Sequence, residues 1–167
     1  KLPFLGRKEE IKVLNATLKS AYEYQRKVLF VIGESGIGKT RLINKFIEDN
    51  NLYSITFNVS IEPLTSPRTL FTEIISSYLS KSIRSIREIT QVIGKEVYDE
   101  FSDIIPELKL YFPYEPNPEK EKMFGLNHYL FMFVKNLSIF TPVIFIFENL
   151  HSASNGILDL LCYLFNK

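Results

Sequence analysis

A chain of 167 residues is long enough for one domain with a real core, because chains of this size bury roughly 70% of the surface they expose when unfolded. Its 20 basic and 19 acidic residues are mixed along the length and leave a net charge of +1, which argues against a dominant nucleic-acid face and against a charged tail. The single cysteine, Cys162, excludes an intrachain disulfide and fits a reducing, cytoplasmic setting.

The segment Phe4-Leu5-Gly6-Arg7 leads into a helix predicted from about Lys8 to Tyr24, with Ile11, Leu14, Leu18 and Tyr22 on one face. Lys27-Val28-Leu29-Phe30-Val31-Ile32 is a continuous apolar run rather than an alternating one, which predicts a central parallel strand buried on both faces. The next eight residues, Gly33-Glu34-Ser35-Gly36-Ile37-Gly38-Lys39-Thr40, fit G-x-x-x-x-G-K-[ST], and Thr40 to Asp49 then carries Leu42, Ile43, Phe46 and Ile47 as a helical stripe.

That order of strand, loop and helix gives each position of the pattern a purpose. Gly33, Gly36 and Gly38 let the backbone turn with positive φ, so that the N–H groups of the loop, Glu34, Ser35 and Ile37 included, converge on phosphate oxygens. Lys39 brings a point charge to the β- and γ-phosphates, Thr40 offers a hydroxyl to Mg²⁺, and Arg41 continues the loop into the helix. The helix N-terminus adds partial positive charge. The pattern therefore predicts a bound nucleoside triphosphate, ATP or ADP, with Mg²⁺; the plain alternative is a glycine-rich turn without a ligand.

Asn50-Asn51 closes the helix, Tyr53 to Val59 alternates as a second strand, and Pro63 and Pro67 mark the loop after it. Thr69 to about Tyr98 reads as two helices broken near Lys81 to Ser85, and Phe101 to Pro118, with its prolines and aromatics, as an ordered loop. Glu119 to Ile139 is the next predicted helix, its aromatics serving as core against a sheet or as a cofactor box. Its most apolar run, Tyr129 to Val134, lies between His128 and Lys135 and is far short of the roughly 20 residues that cross a bilayer, so no membrane partner is expected.

Pro142-Val143-Ile144-Phe145-Ile146-Phe147-Glu148 places a carboxylate at the C-terminal tip of a buried strand, the edge of a parallel sheet where ligands bind. Glu148 is thus a second candidate ligand for Mg²⁺ beside Thr40. Cys162, within Ile157 to Phe165, reads as a buried small apolar residue of a last helix. The chain opens on lysine and stops inside an apolar helical pattern, which predicts a piece of a longer protein.

Three segments resemble one family in order and spacing. Phe4-Leu5-Gly6-Arg7 is similar to its F-h-G-R box, Gly33 to Ile43 to its G-E-x-G-I-G-K-[ST]-R-L-h, and Pro142 to His151 to its P-h-h-h-h-h-D-D-L-H. The chain resembles the ATPase module of bacterial signal-transduction ATPases with numerous domains, an AAA-related group. The resemblance implies an α/β P-loop NTPase fold, a three-layer sandwich with a parallel sheet of which this is the N-terminal part, forming a single domain over 1–167. It implies that Arg7, on its own residues a solvated or helix-capping cation, lies near adenine and ribose. It also implies that Glu148 replaces the metal-linked aspartate, and that His151 either senses the γ-phosphate or makes an ordinary hydrogen bond.

The departures from that family bear on turnover. Asn149 stands where a second acid is usual and cannot take a proton from water, though it can orient one, and Ser152-Ala153-Ser154 replaces W-A-D. Losing a positioned base costs about 10² to 10⁴ in rate, so Glu148 and Asn149 form a catalytic pair in which binding survives and hydrolysis suffers. The resemblance further implies a strand after Ile157 to Lys167, inserted between the phosphate strand and the acidic strand. Its absence predicts open edges and self-association. The expected function is an ATP-dependent switch read by output domains of the same longer protein. An initiator or motor ATPase acting on DNA and a non-hydrolysing, nucleotide-locked scaffold are the alternatives.

Overall fold

Helices α1 (Lys8–Tyr22) and α2 (Lys39–Asn50) build the first of two compact units, Lys1–Ile55 and Thr56–Lys167, in a computed structural model that describes residues 6–23, 26–50, 54–81, 85–117 and 125–166. Phe4, Leu5, Tyr24, Asn51 and Tyr53 of the expected elements lie outside the described residues. The apolar stripes meet as periodicity requires: Leu14 of α1 packs with Leu42 and Phe46 of α2, and Ile11, Leu18, Ile43, Ile47 and Val31 surround them. Asn50 ends α2 by donating from Nδ2 to the Phe46 carbonyl at 2.8 Å and to Asn15 Oδ1 of α1 at 2.9 Å. Tyr22, expected on the apolar face, is exposed.

The strand expected at Lys27 to Ile32 does not form. Residues 26–34 enter no ladder, and Val28, Leu29, Phe30 and Ile32 are exposed, Ile32 to 90%, while Val31 alone packs on the helices. A continuous apolar run specifies burial on two faces but not the partner whose N–H and C=O groups complete the ladder. Among the described residues the sheet holds two other strands, hydrogen-bonded to each other.

Those strands, β1 (Ile55–Ser60) and β2 (Val143–Glu148), run parallel, and the chain between them forms α3 (Pro67–Ser80), α4 (Ile86–Phe101) and α5 (Leu126–Ser138) before α6 (Asn155–Asn166) follows β2. Ser66 caps α3 by accepting from the Thr69 N–H at 3.1 Å, with Pro67 in the first turn where its missing N–H costs nothing. Ser85 caps α4 in the same way. Inside α4, Gly94 adopts φ 75° and ψ 158°, which breaks the helix, and Asn136 of α5 donates to the Val92 carbonyl at 3.3 Å just before the break.

Helix α5 packs on β2 and on α3, α4 and α6. Phe133 of α5 meets Phe57 of β1 at 6.1 Å and Tyr78 of α3 at 5.3 Å between ring centroids, and Phe57 stacks on Phe145 of β2 at 5.0 Å. Such pairs add about 0.5–1.5 kcal/mol each beyond burial. The aromatic helix therefore packs as core against the sheet. The segment after α4 is ordered as expected: Phe112 stacks on Tyr98 at 4.3 Å, and the Tyr98 hydroxyl donates to the Tyr114 carbonyl at 2.6 Å.

Three further expectations are corrected. Helix α5 is Leu126–Ser138, with Gly125 extended (φ −75°, ψ 161°) at its N-cap; residues 119–124 of the expected helix lie outside the described residues. All six positions of β2 are half-buried rather than buried, since β1 is the one described strand that pairs with it. Cys162 is exposed: α6 buries Ile157, Leu160, Leu161 and Leu164, and Cys162 lies one turn beyond exposed Leu158 on the other side. Among the described residues no helix is long and apolar enough to cross a membrane.

Candidate nucleotide-binding site

In the first unit the glycine pattern makes a tight turn directly in front of α2. Gly36 and Gly38 have φ of 78° and 92°, the Ile37 N–H donates to the Glu34 carbonyl at 3.4 Å, and the Leu42 N–H takes the Gly38 carbonyl at 3.0 Å to begin the helix. The expectation of positive φ fails at Gly33, which is needed for a different reason. A β-carbon there would meet Ile37 Cγ2 at 3.2 Å, so Gly33 admits the Ile37 side chain against the loop. Glu34, Ser35, Ile37, Thr40 and Arg41 are exposed around it.

Lys39, the first residue of α2, folds back over the loop. Its Nζ donates to the Gly33 carbonyl at 2.7 Å and to the Glu34 carbonyl at 2.8 Å. The ammonium is held above the turn by neutral acceptors, and anionic oxygens form stronger, charge-assisted bonds to such a group. With the α2 N-terminus below it, the turn is an electropositive cup suited to phosphate.

Arg7 belongs to this cup. It sits at the N-cap of α1 with φ 57° and makes no side-chain cap; instead Nη2 donates to the Ile37 carbonyl at 2.6 Å, while Nη1 pairs with Glu10 at 3.5 Å. The guanidinium thus ties the start of the chain to the phosphate turn rather than hanging in solvent.

In the second unit the acid expected at a strand tip is the last residue of β2. Glu148 is half-buried, and its carbonyl accepts the Ile61 N–H at 3.0 Å where the chain leaves β1. Asn149 turns the chain with φ 57° and ψ 35° into a 3₁₀ turn, Leu150–Ser152, in which His151 is exposed. Asparagine tolerates this left-handed conformation better than most residues. Ser154 accepts from the Ile157 N–H at 3.4 Å through its hydroxyl and so caps α6.

Two residues here escaped sequence reading. Asn149 Nδ2 donates to Ser60 Oγ at 3.1 Å, and the Ser60 hydroxyl donates to Glu62 Oε1 at 3.1 Å. Glu62 is fixed in turn, its N–H donating to Thr65 Oγ1 at 3.0 Å and its carbonyl accepting the Thr65 N–H at 2.9 Å. A signal was present: Ile61-Glu62 repeats, at the exit of β1, the apolar-then-acid order of Phe147-Glu148.

Phosphate turn, leading helix and parallel strand ending in an acid are the parts of a nucleotide-binding ATPase module of mixed α/β class. A family model described as "AAA ATPase domain" matches residues 3–167, and the chain belongs to that family. No curated protein and no solved structure matches it.

Proposed function

We infer that this chain is the ATP-binding switch module of a larger multidomain signalling or transcription-regulatory protein of the cytoplasm. It holds ATP or ADP with Mg²⁺, turns over slowly, and passes its state to output domains of the same polypeptide. The three-layer P-loop sandwich implied by the resemblance is the fold on which this reading rests.

One observation carries the nucleotide assignment: Lys39 Nζ lies over the turn of Gly36 and Gly38, its bonds made to the Gly33 and Glu34 carbonyls. Phosphate oxygens entering the turn replace those carbonyls as acceptors. Thr40 and Glu148 each offer the hard oxygen donor that Mg²⁺ prefers, and such sites characteristically use one or two protein ligands plus phosphate. When bound, Mg²⁺ neutralises charge building on the β- and γ-phosphate oxygens. Calorimetric titration with Mg·ATP should give binding to the intact chain and none to Lys39→Ala; equal binding would remove Lys39 from the site.

A second reading is favoured by Asn149, which cannot accept a proton and whose amide is held by Ser60: a nucleotide-locked scaffold that never hydrolyses. Phosphate release above the level of Lys39→Ala would exclude it.

A further inference from the structure

After α4, the chain from Ser102 to Asn117 contains one 3₁₀ turn, Pro106–Leu110, and no α-helix or strand. Ordered loops of such length usually serve a function. This one is held at several points: Ile105, Leu108 and Phe112 are buried, the Tyr114 ring lies edge-on to Tyr98 at 5.4 Å, and the Asn117 N–H donates to Asp99 Oδ1 at 3.2 Å. Three of the side chains it leaves at the surface are large and apolar, Ile104 at 44%, Leu110 at 76% and Tyr114 at 40% exposure. Lys109 Nζ pairs with Asp103 at 3.3 Å, and since Ile104 follows Asp103 and Leu110 follows Lys109, that pair holds both apolar residues near each other. Tyr114 joins them through Tyr98, whose hydroxyl donates to the Tyr114 carbonyl at 2.6 Å. The Tyr98 phenol, raised in pKa first by burial, also feels Glu115, Lys109, Asp99 and Asp103, so both ends of the segment converge on it.

The charge around this apolar surface is one-sided. Residues 96–117 set Glu96, Asp99, Glu100, Asp103, Glu107 and Glu115 against Lys109 alone, in a chain whose overall charge is +1. Lys109 is used by Asp103, and Arg68 of α3 is the partner of Glu100. Glu96, Glu107 and Glu115 are exposed, and among the described residues no cation pairs with them.

We propose that the surface of Ile104, Leu110 and Tyr114 docks a cationic amphipathic helix of a separate partner protein, its apolar face on these side chains and its lysines or arginines against Glu96, Glu107 and Glu115. An apolar centre with a charged rim of one sign is what such a helix complements, and the rim's field speeds its arrival. Nucleic acid and acidic lipid are repelled by the same carboxylates. A second copy of the chain is a poor occupant, because no described helix carries a net charge above +1 and the apolar stripes of α2 and α6 are already buried. The surface lies wholly within the second unit.

The probe is a fluorescein-labelled peptide of about 18 residues, about five helical turns, with leucines at i, i+3, i+4 and i+7 and lysines elsewhere, beside a twin in which glutamate replaces every lysine. Fluorescence anisotropy with the full chain should show the lysine peptide bound and the twin at least about tenfold weaker. Leu110→Ser and Glu107→Lys, both at exposed positions, should each weaken the lysine peptide about fivefold or more, whereas Leu64→Ser and Glu73→Lys, exposed elsewhere, should stay within about twofold. Raising salt from about 0.05 M to about 0.3 M should weaken it about fivefold. Amide resonances of residues 103–115 should shift when the lysine peptide is added.

Absent binding, or binding untouched by Leu110→Ser and Glu107→Lys, would overturn the site. Equal losses in Leu64→Ser and Glu73→Lys would reduce it to general charge attraction. A twin bound as tightly as the lysine peptide would overturn the cationic partner. A fall in light-scattering mass on Leu110→Ser would put a second copy on this face and overturn the separate partner.

Discussion

The Ile61 N–H donates to the Glu148 carbonyl at 3.0 Å, so the acid that ends one parallel strand is anchored by the exit of the other. Ile61 is fully buried, which makes this a fixed point under an otherwise exposed set of polar side chains. Main-chain bonding therefore places the acid and Asn149 before any side chain contributes.

The phosphate turn should be intolerant of β-carbons for conformational reasons alone. Nothing lies within 4 Å of a β-carbon built on Gly36 or Gly38, yet both have positive φ, so alanine at either should cost about 1–2 kcal/mol in backbone strain. Gly125→Ala, equally open but with φ −75°, should stay within about 0.5 kcal/mol of the parent in urea unfolding. Mg·ATP affinity should fall with the first two and not the third. Equal stability of all three would show that the turn relaxes freely.

The exposure of residues 28–32 gives a direct contrast. Phe30→Lys and Ile32→Lys, at positions 66% and 90% exposed, should change stability by under about 0.5 kcal/mol and should lower the mass seen by light scattering at high concentration, because an exposed apolar run with unpaired backbone favours self-association. Val31→Asp should be strongly destabilising, since Val31 packs on the cluster of Leu14, Leu42 and Phe46. Severe destabilisation by Ile32→Lys would mean that the segment is a buried strand after all.

Alkaline pH should unfold the second unit through Tyr98. Burial, reinforced by the nearby Glu115 carboxylate, raises its phenol pKa, and its hydroxyl is bonded to the Tyr114 carbonyl. The unfolded phenol ionises near about pH 10 and the folded one later. The contribution is thus complete below that pH and lost as pH climbs through the raised folded value. Thermal melts should hold level to about pH 9 and fall above about pH 10, less steeply in Tyr98→Phe. Lys45, raised by its 2.6 Å hydrogen bond to Asp49, loses its contribution at similarly high pH, so the comparison is between chains differing only at residue 98. Parallel curves for the two would remove Tyr98 as the cause.

An acid placed at position 149 should not by itself raise turnover. In Asn149→Asp the new carboxylate faces a Ser60 oxygen whose proton is already given to Glu62, so two carboxylates compete for one hydroxyl. Steady-state rates should rise more in the double variant with Glu62→Ala than in Asn149→Asp alone. Independent, multiplicative effects would show that positions 62 and 149 do not communicate.

What the sequence disclosed was what local periodicity and local chemistry encode. The stripe of Leu42 and Phe46 and the acid after Phe147 act within one or two turns of chain, and those elements stand where the signals put them, whereas Pro67, read as part of the loop, opens α3 two residues before Thr69. The spacing of Ile157, Leu160, Leu161 and Leu164 also contained the exposure of Cys162, which composition alone obscured. The pairing of 27–32 was beyond reach because apolarity does not name a hydrogen-bonding partner. Arg7 on Ile37 and Asn149 on Ser60 join residues 30 and 89 positions apart, and no local pattern records such a meeting.

Gly94 resets the phase of its helix. Before it α4 buries Ile89, Val92 and Ile93, and after it Val97, Tyr98 and Phe101, a set that one uninterrupted spiral would not gather on a single side. The φ of 75° and ψ of 158° that permit this belong to a region nearly reserved for glycine. One missing methyl group thus decides which way Tyr98 faces, and with it whether Phe112 and Tyr114 have a ring to lie against.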